Sequence, residues 1–567
     1  MKKLIFCIMV ISFILFFNHA AIFAQIAVEV EKAESDIREE KALREKIEKK
    51  VKKPQIEEKE MPKVTPAVSE EKALIKKINV TGVTLLKEKE INNIISGYTN
   101  KELTLTEMQK VADMITDIYR QKGYITSRAY LPPQKITTGV LEIRIMEGIT
   151  GDFDIKGNRY FKKSLYRNKI VLKKGEPFNY EILRKGLSKI NELPDRSVKA
   201  VVAPGKTAGT TDVALEAKDR LPMHIGFDWD NYGSRFIDKQ RFRTTLTHNN
   251  LLGLDDVFVF QYQLAKAEDY TLLSGRYLLP LTENLKLGFF AAKTKLKLGK
   301  DYEDLGVRGK STLYSIYASQ TLINRENIDL LLSVGFDYKD VFNFQTGVDT
   351  SRDRMRVAKL NLDMDITDGW GRTIITNEVN LGIPNIMGGL KAKDPQASVS
   401  GACGRFFKDN VNLVRLQRLP WDATLLWKNQ LQFSPNLLTA TEQFQIGGIV
   451  NVRAYPPAEV VGDSGYSMTW ELSLPIYMVP RDLKVPFSKA KVYDALRLVA
   501  FYDWANARQR RPAAGVQKNR TLRGAGWGLR FNLPEDFSAR VEFAWPLDNM
   551  PSDSERLHTL FEISKSF

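Results

Sequence analysis

Leu496-Arg497-Leu498-Val499-Ala500-Phe501-Tyr502-Asp503-Trp504-Ala505 alternates strictly, with the period of two that marks a β-strand. A strand turns successive side chains to opposite faces, so Leu496, Leu498, Ala500, Tyr502 and Trp504 make one apolar face. Arg497, Val499, Phe501, Asp503 and Ala505 make the other. If such a strand crosses a bilayer, Asp503 points away from lipid. About fifty residues upstream stands Gly447-Gly448-Ile449-Val450-Asn451-Val452-Arg453-Ala454-Tyr455, which makes Arg453 and Asp503 a candidate charge pair inside a barrel.

The same texture begins after Pro222. Phe258, Phe260, Tyr262 and Leu264 oppose Val259, Gln261 and Gln263; Leu360, Leu362 and Met364 oppose Lys359, Asn361, Asp363 and Asp365; Trp527, Leu529 and Phe531 oppose Gly526, Gly528 and Arg530. One face suits lipid and the other a polar lumen. A soluble β-sandwich would hide its apolar face against a second sheet and needs no such succession of aromatic strands. At roughly 21 residues for a strand and its share of turns, residues 222–567 hold about sixteen strands. The last of them sets Thr559, Phe561, Ile563, Lys565 and Phe567 on one face. The expected fold here is a transmembrane antiparallel β-barrel.

Upstream the texture differs. Lys2 and Lys3, an apolar run from Leu4 to Phe17, and small residues at Ala20, Ala21 and Ala24 have the layout of a secretory signal peptide over residues 1–24. Its removal takes Cys7 and leaves Cys403 unable to form an internal disulfide. Beyond it no apolar run reaches the roughly 18 residues that a membrane helix needs. The formal charge of +16 falls by two with Lys2 and Lys3, leaving a basic chain suited to acidic lipid head groups or an acidic protein. No Lys/Arg patch is interleaved with stacking aromatics, so nucleic acid is not an expected partner.

Residues 25–53 form a charged arm, with acids early (Glu29, Glu31, Glu34) and bases late (Lys49, Lys50, Lys52), an order that suits a helix macrodipole. Its apolar stripe of Ile37, Leu43, Ile47 and Val51 is thin. Pro54, Pro62 and Pro66 make residues 54–71 a linker. Residues 72–149 then read β-α-α-β-β. A strand around Ile78 and Val80 leads to a short helix over Glu88–Gly97 and a longer one over Thr104–Gly123, opened by a Thr104/Glu107 capping box. Leu141, Ile143 and Ile145 alternate on a half-buried strand. Residues 150–221 repeat the plan, with Phe153 and Ile155 on the first strand and Val213 and Leu215 on the last.

With these parts placed, the chain resembles the two-partner secretion transporters, the TpsB family of haemolysin secretion/activation proteins, within the superfamily of barrels that carry periplasmic POTRA domains. In the first α+β unit the resemblance rests on Ala129-Tyr130-Leu131-Pro132-Pro133-Gln134, Gly139-Val140-Leu141-Glu142-Ile143 and Glu147-Gly148. At the barrel start it rests on Asp230-Asn231-Tyr232-Gly233-Ser234-Arg235 and Asn250-Leu251-Leu252-Gly253. Val452-Arg453-Ala454-Tyr455 is similar to the superfamily's inward-folded loop motif, and Phe501, Asp503 and Ala505 resemble its barrel-wall motif; Glu471 also follows as in the family. Ala454 and Ala505 stand where Gly is usual, and Ala disfavours the positive φ that Gly permits.

The resemblance implies two POTRA domains, residues 72–149 and 150–221, and an outer-membrane barrel that exports one large unfolded passenger protein to the cell surface without a nucleotide. It implies that Arg453 and Asp503 clamp a loop folded into the lumen, a guanidinium offering a planar fork to a carboxylate. In a wet lumen such a pair contributes ~1 kcal/mol, rising toward ~3 to 5 kcal/mol for removal of one partner where water is excluded. The passenger is expected to bind within residues 72–221 along a lent sheet edge; Ile143 and Ile145 are candidates near such an edge, but the core is the expected place for them. The charged arm resembles the family's plug helix in position, and Phe567 resembles the terminal aromatic that barrel-assembly machinery reads.

The alternative function is that of an outer-membrane protein assembly factor of the same superfamily; two POTRA units and a charged arm favour secretion. An enzyme is not expected, because His224, His248 and His558 sit in no nucleophile, base and carboxylate pattern. Asp363, Asp365, Asp368 and Gly369 miss the spacing of a calcium loop. Gly205-Lys206-Thr207 lacks the upstream Gly of a phosphate loop, Ala200 holding that place. The expected partners are a secreted passenger, outer-membrane lipids and the assembly machinery, with no cofactor and no metal.

Overall fold

The structure, a computed structural model, describes residues 55–58 and 72–567, apart from 192–194, 208, 267–268, 326, 392–393, 487, 513–514 and 535–536 and the side chains of 300–302. The signal peptide, the charged arm and most of the linker lie outside these residues. One compact unit spans Val51–Pro222 and another includes Met223–Phe567.

The first unit holds two cores. Its strands are β1 (Ile56–Glu58), β2 (Lys72–Ile75), β3 (Lys77–Thr81), β4 (Lys101–Thr104), β5 (Arg128–Tyr130), β6 (Val140–Met146), β7 (Ile149–Lys156), β8 (Arg196–Pro204) and β9 (Thr210–Asp219). Thr104 caps the helix Leu105–Gln121 through the reciprocal bonds of a capping box, and Met108, Val111, Ile115 and Tyr119 of that helix meet Leu141 and Ile143 in the first core. β3 pairs parallel and β5 antiparallel with β6, so β6 is the central strand. Ile143 and Ile145 therefore belong to the core and not to an edge, both ladders of their strand being occupied.

Glu147 ties this fold together. Its carboxylate accepts from the backbone N–H of Thr84 (2.7 Å) and Leu85 (2.9 Å), the Tyr119 hydroxyl (2.6 Å) and the Thr84 hydroxyl. Burial pushes its pKa up, but the Thr84 and Tyr119 hydroxyls and the two backbone N–H groups outweigh burial and hold it below the ordinary glutamate value.

The second sheet runs β1-β8-β9-β7. Ile56–Glu58, expected inside a linker, is instead an edge strand parallel to β8, with Ile56 opposite Ala200 and packed against the second core. Three residues flanked by charge carry no periodic signal; the open β8 edge supplies the partner. Gly82 follows β3 and Gly157 follows β7, with φ of 84° and 82°. A Cβ would strike the carbonyl oxygen of Ile145 at one and of Ala217 at the other, so the same backbone turn recurs in both halves.

The other unit is a closed barrel. Its wall runs through β10 (Met223–Asp230), β11 (Arg241–His248), β12 (Val257–Ala265), β13 (Tyr270–Pro280), β14 (Leu285–Lys297), β15 (Arg308–Arg325), β16 (Ile328–Gln345) and β17 (Val348–Thr367). It continues through β18 (Gly371–Gly382), β19 (Phe406–Arg418) and β20 (Thr424–Phe433). The short strands β21 (Phe444–Ile446) and β22 (Val460–Gly462) lie in a loop, and β23 (Ser464–Pro475), β24 (Leu496–Arg508), β25 (Asn519–Leu533), β26 (Phe537–Pro546) and β27 (His558–Ser566) complete the circuit. Among the described residues that makes sixteen antiparallel strands, the number expected. β10 closes on β27 from Gly226 opposite Ser566 to Asp230 opposite Glu562, and Ile225 and Phe567 exchange backbone hydrogen bonds beyond them.

The polarity is inverted relative to a water-soluble protein. Phe227, Tyr262, Leu360 and Trp527 are exposed on the outer face, while Gln263, Asp503 and Glu542 are wholly buried inside. Exposed aromatic rings around an ionised interior are favourable only where the outer solvent is hydrocarbon.

Candidate functional site: a loop held in the barrel lumen

Residues 434–463 join β20 to β23 and fold inward, burying Leu438, Glu442, Ile446, Val452, Arg453, Tyr455 and Asp463. β21 and β22 pair to form a stalk, Phe444 opposite Gly462 and Ile446 opposite Val460. Gly447 and Gly448, at φ 116° and 80°, start the reversal beyond it. The Asn451 side chain organises the tip, accepting from the N–H of Gly447 and of Val452 (both 2.8 Å) and donating to the Gln445 carbonyl (2.9 Å). Ala454 stays out of the positive-φ region, so this tip has no need of the usual glycine there. Its methyl faces Gly524, whose missing side chain leaves the space.

Arg453 ends on a wall of carboxylates. Its Nε and Nη2 donate to the two oxygens of Asp503 at 2.9 Å each, and its backbone N–H reaches the same carboxylate at 3.2 Å. Nη1 donates to Glu471 at 3.0 Å and to Glu542 at 3.1 Å. Arg530 bridges Glu471 and Glu542 from β25, and Thr469 donates to Asp503 at 3.0 Å. The Arg453 guanidinium also lies 3.4 Å from the centroid of the Phe501 ring. All five charged side chains are less than a tenth exposed. Three carboxylates and two guanidinium groups thus share one desolvated cluster, where the sequence pointed to a single pair.

Around the charges, Val452, Ala454 and Tyr455 of the loop pack with Val499, Phe501, Ala505 and Leu522 of the wall. The Tyr455 hydroxyl donates to the Asn549 carbonyl at 3.2 Å. Glu542 escaped the sequence reading, although Val541 and Phe543 alternate with Arg540, Glu542 and Ala544 and so place it inward. The aspartates at 365 and 368 are committed to Arg372 and Arg415 as ion pairs. Gly205 and Lys206 sit in the turn between β8 and β9, so no helix N-terminus follows them.

Residues 209–531 match the family described as haemolysin secretion/activation protein ShlB/FhaC/HecB, and residues 73–148 match the POTRA domain of ShlB type. The chain belongs to the ShlB/FhaC/HecB family. It is accordingly an outer-membrane transporter of secreted proteins and not an enzyme, with its POTRA region in the periplasm. Among curated relatives, the heme/hemopexin transporter protein HuxB of Haemophilus influenzae (strain 86-028NP) is 23% identical over 503 residues, 84% of each chain. The outer membrane transporter CdiB of Escherichia coli O6:K15:H31 (strain 536 / UPEC) is 24% identical over 426 residues, 72% of this chain and 70% of the relative. Of solved structures, CdiB from Escherichia coli superposes with a TM-score of 0.65 at 21% identity, covering 89% of this chain and 93% of that one. BamA from Haemophilus ducreyi, lacking its POTRA domains 1–3, shares the fold at a TM-score of 0.54 and 14% identity, over 87% of this chain and all of that one.

Proposed function

We propose that this ShlB/FhaC/HecB-family transporter captures a large passenger protein through its POTRA domains and exports it unfolded through the barrel without ATP, the Arg453–Asp503 pair clamping the lumen loop. The observation that carries this reading is the loop: its tip is fixed by a desolvated guanidinium among three carboxylates, an arrangement suited to closing a wide channel. A sixteen-stranded barrel encloses an aqueous channel that admits an extended chain and excludes a folded domain. Folding outside the cell then supplies the direction. On the periplasmic side an extended passenger segment pairs with a POTRA sheet edge; that β8 accepts Ile56–Glu58 as an added strand supports this mode. The outer apolar face contacts membrane lipid, and Phe567 serves barrel assembly.

The test compares the surface and extracellular proteomes of cells carrying the wild-type chain, Arg453→Ala, or no chain. Loss of one large protein without the chain, and with Arg453→Ala still inserted in the membrane, is the expected result. Unchanged secretion accompanied by failure of other barrels to assemble would transfer the chain to the assembly-factor reading.

A further inference from the structure

The lumen loop is anchored at a second place by charges of the opposite sign. The carboxylate of Glu442, in the turn Ala440–Glu442 at the base of the loop, pairs with Lys339 of β16 at 2.8 Å and with Lys408 of β19. Glu442 and Lys408 are buried to 2% and 5% exposure. Nearby, the Ser398 hydroxyl and N–H donate to Asp353 at 2.5 Å and 2.9 Å, and the Ala440 N–H donates to the Ser398 oxygen at 3.0 Å. The segment joining β18 to β19 is thereby drawn onto the same base.

We propose that Glu442 is a second latch, so that the loop is strapped across the lumen between two lysines of the wall (Lys339 of β16 and Lys408 of β19) and the carboxylates of β23, β24 and β26. It rests on the reading that the loop closes the channel. Glu442 at the base meets two lysines of the wall and Arg453 at the tip meets three carboxylates, so the wall offers the complement to each of these two charges. Sliding or inverting the loop would bring Arg453 toward Lys339 and Lys408, or Glu442 toward Glu471 and Glu542, which charge repulsion forbids; the two latches therefore fix position as well as attachment. Neither latch shares a residue with the other, so releasing one end leaves the other held. Opening of the channel is then a two-step event.

The experiment uses the chain from residue 25 onward, which lacks Cys7, in liposomes and in a Cys403→Ser background, with a reporter cysteine either at the base (Thr441→Cys) or at the tip (Val452→Cys), both sites being buried. Labelling by a membrane-impermeant maleimide is followed in time. Loss of a buried charge partner should raise the base rate at least about tenfold in Glu442→Gln, with the tip rate unchanged. Arg453→Ala should do the reverse, and the two together should accelerate both. The exchange Glu442→Lys with Lys408→Glu preserves the charge of the triad and should return the base to slow labelling, which also covers the case in which Glu442→Gln fails to insert. A base rate that ignores Glu442→Gln, or base and tip rates that rise together in that variant, would overturn the proposal. No passenger is present, so these outcomes are separate from success or failure of the export reading.

Discussion

Replacing Arg453 by lysine keeps the charge and removes the fork. Lysine cannot span both oxygens of Asp503 while also reaching Glu471 and Glu542, and it has no plane to lay on Phe501. The loss of at least one charge-assisted bond and of the ring contact amounts to ~1.5 to 3 kcal/mol of attachment at the tip. Arg453→Ala removes every bond of the guanidinium and leaves three carboxylates to one guanidinium, for ~3 to 5 kcal/mol. The amides of Gly448 and Tyr455, which bond to the carbonyls of Tyr455 and Val452, report directly on the tip. Hydrogen exchange at these two positions in membrane-embedded protein should accelerate by a factor of about 10 to about 150 in Arg453→Lys, and about 150 to about 4,000 in Arg453→Ala. Wild-type protection in the lysine variant would refute the claim that planar geometry holds the tip. Wild-type protection in the alanine variant would refute the clamp altogether.

Phe501→Leu preserves apolar packing and deletes the ring beneath Arg453, which should cost ~0.5 to 2 kcal/mol and speed exchange at the same amides by less than Arg453→Ala does. Glu147→Gln should lower the stability of the Val51–Pro222 fragment by ~1 to 2 kcal/mol in thermal melts at neutral pH, because one amide oxygen cannot replace a carboxylate that accepts four bonds. Since the folded pKa of Glu147 is depressed, its contribution is complete above the ordinary glutamate value of about 4.3 and is lost as pH falls through the folded value. The gap between wild type and Glu147→Gln should therefore close on acidification, and a constant gap would contradict the assignment. Gly82→Ala and Gly157→Ala should each destabilise the same fragment by ~1 to 3 kcal/mol, two parallel losses that a non-repeated fold would not show.

Alternation made the barrel legible. Each wall strand separates lipid from lumen, so period two survives in Leu496–Ala505 without any knowledge of its neighbours. The helix Leu105–Gln121 was legible for a similar reason, its cap and its stripe being local. Arg453 and Asp503 stood out through their motifs, but Glu442 did not. It lies in an aperiodic stretch, and its partners Lys339 and Lys408 are 103 and 34 residues away in sequence, so only the closed wall brings them together. Ile56–Glu58 was hidden for the same physical reason. A three-residue edge strand is specified by the vacancy beside β8 and not by its own side chains.

If the loop is a removable plug, as proposed above, the addition of ionic anchorage to the apolar packing at its tip has a physical rationale. A loop held only by packing such as that of Val452 and Tyr455 would expose that apolar surface whenever it withdrew, a penalty that grows with the strength of the seal. A buried ion pair behaves differently: removing one partner costs several kcal/mol, yet separating both into water returns to each its hydration and leaves a small net difference. Charges at tip and base therefore make the closed state specific in position without making it deep in energy. On the proposed export reading, a passenger segment entering the lumen with water and its own polar backbone would relieve both latches by solvating them, and the loop would return to the same register once the segment had passed.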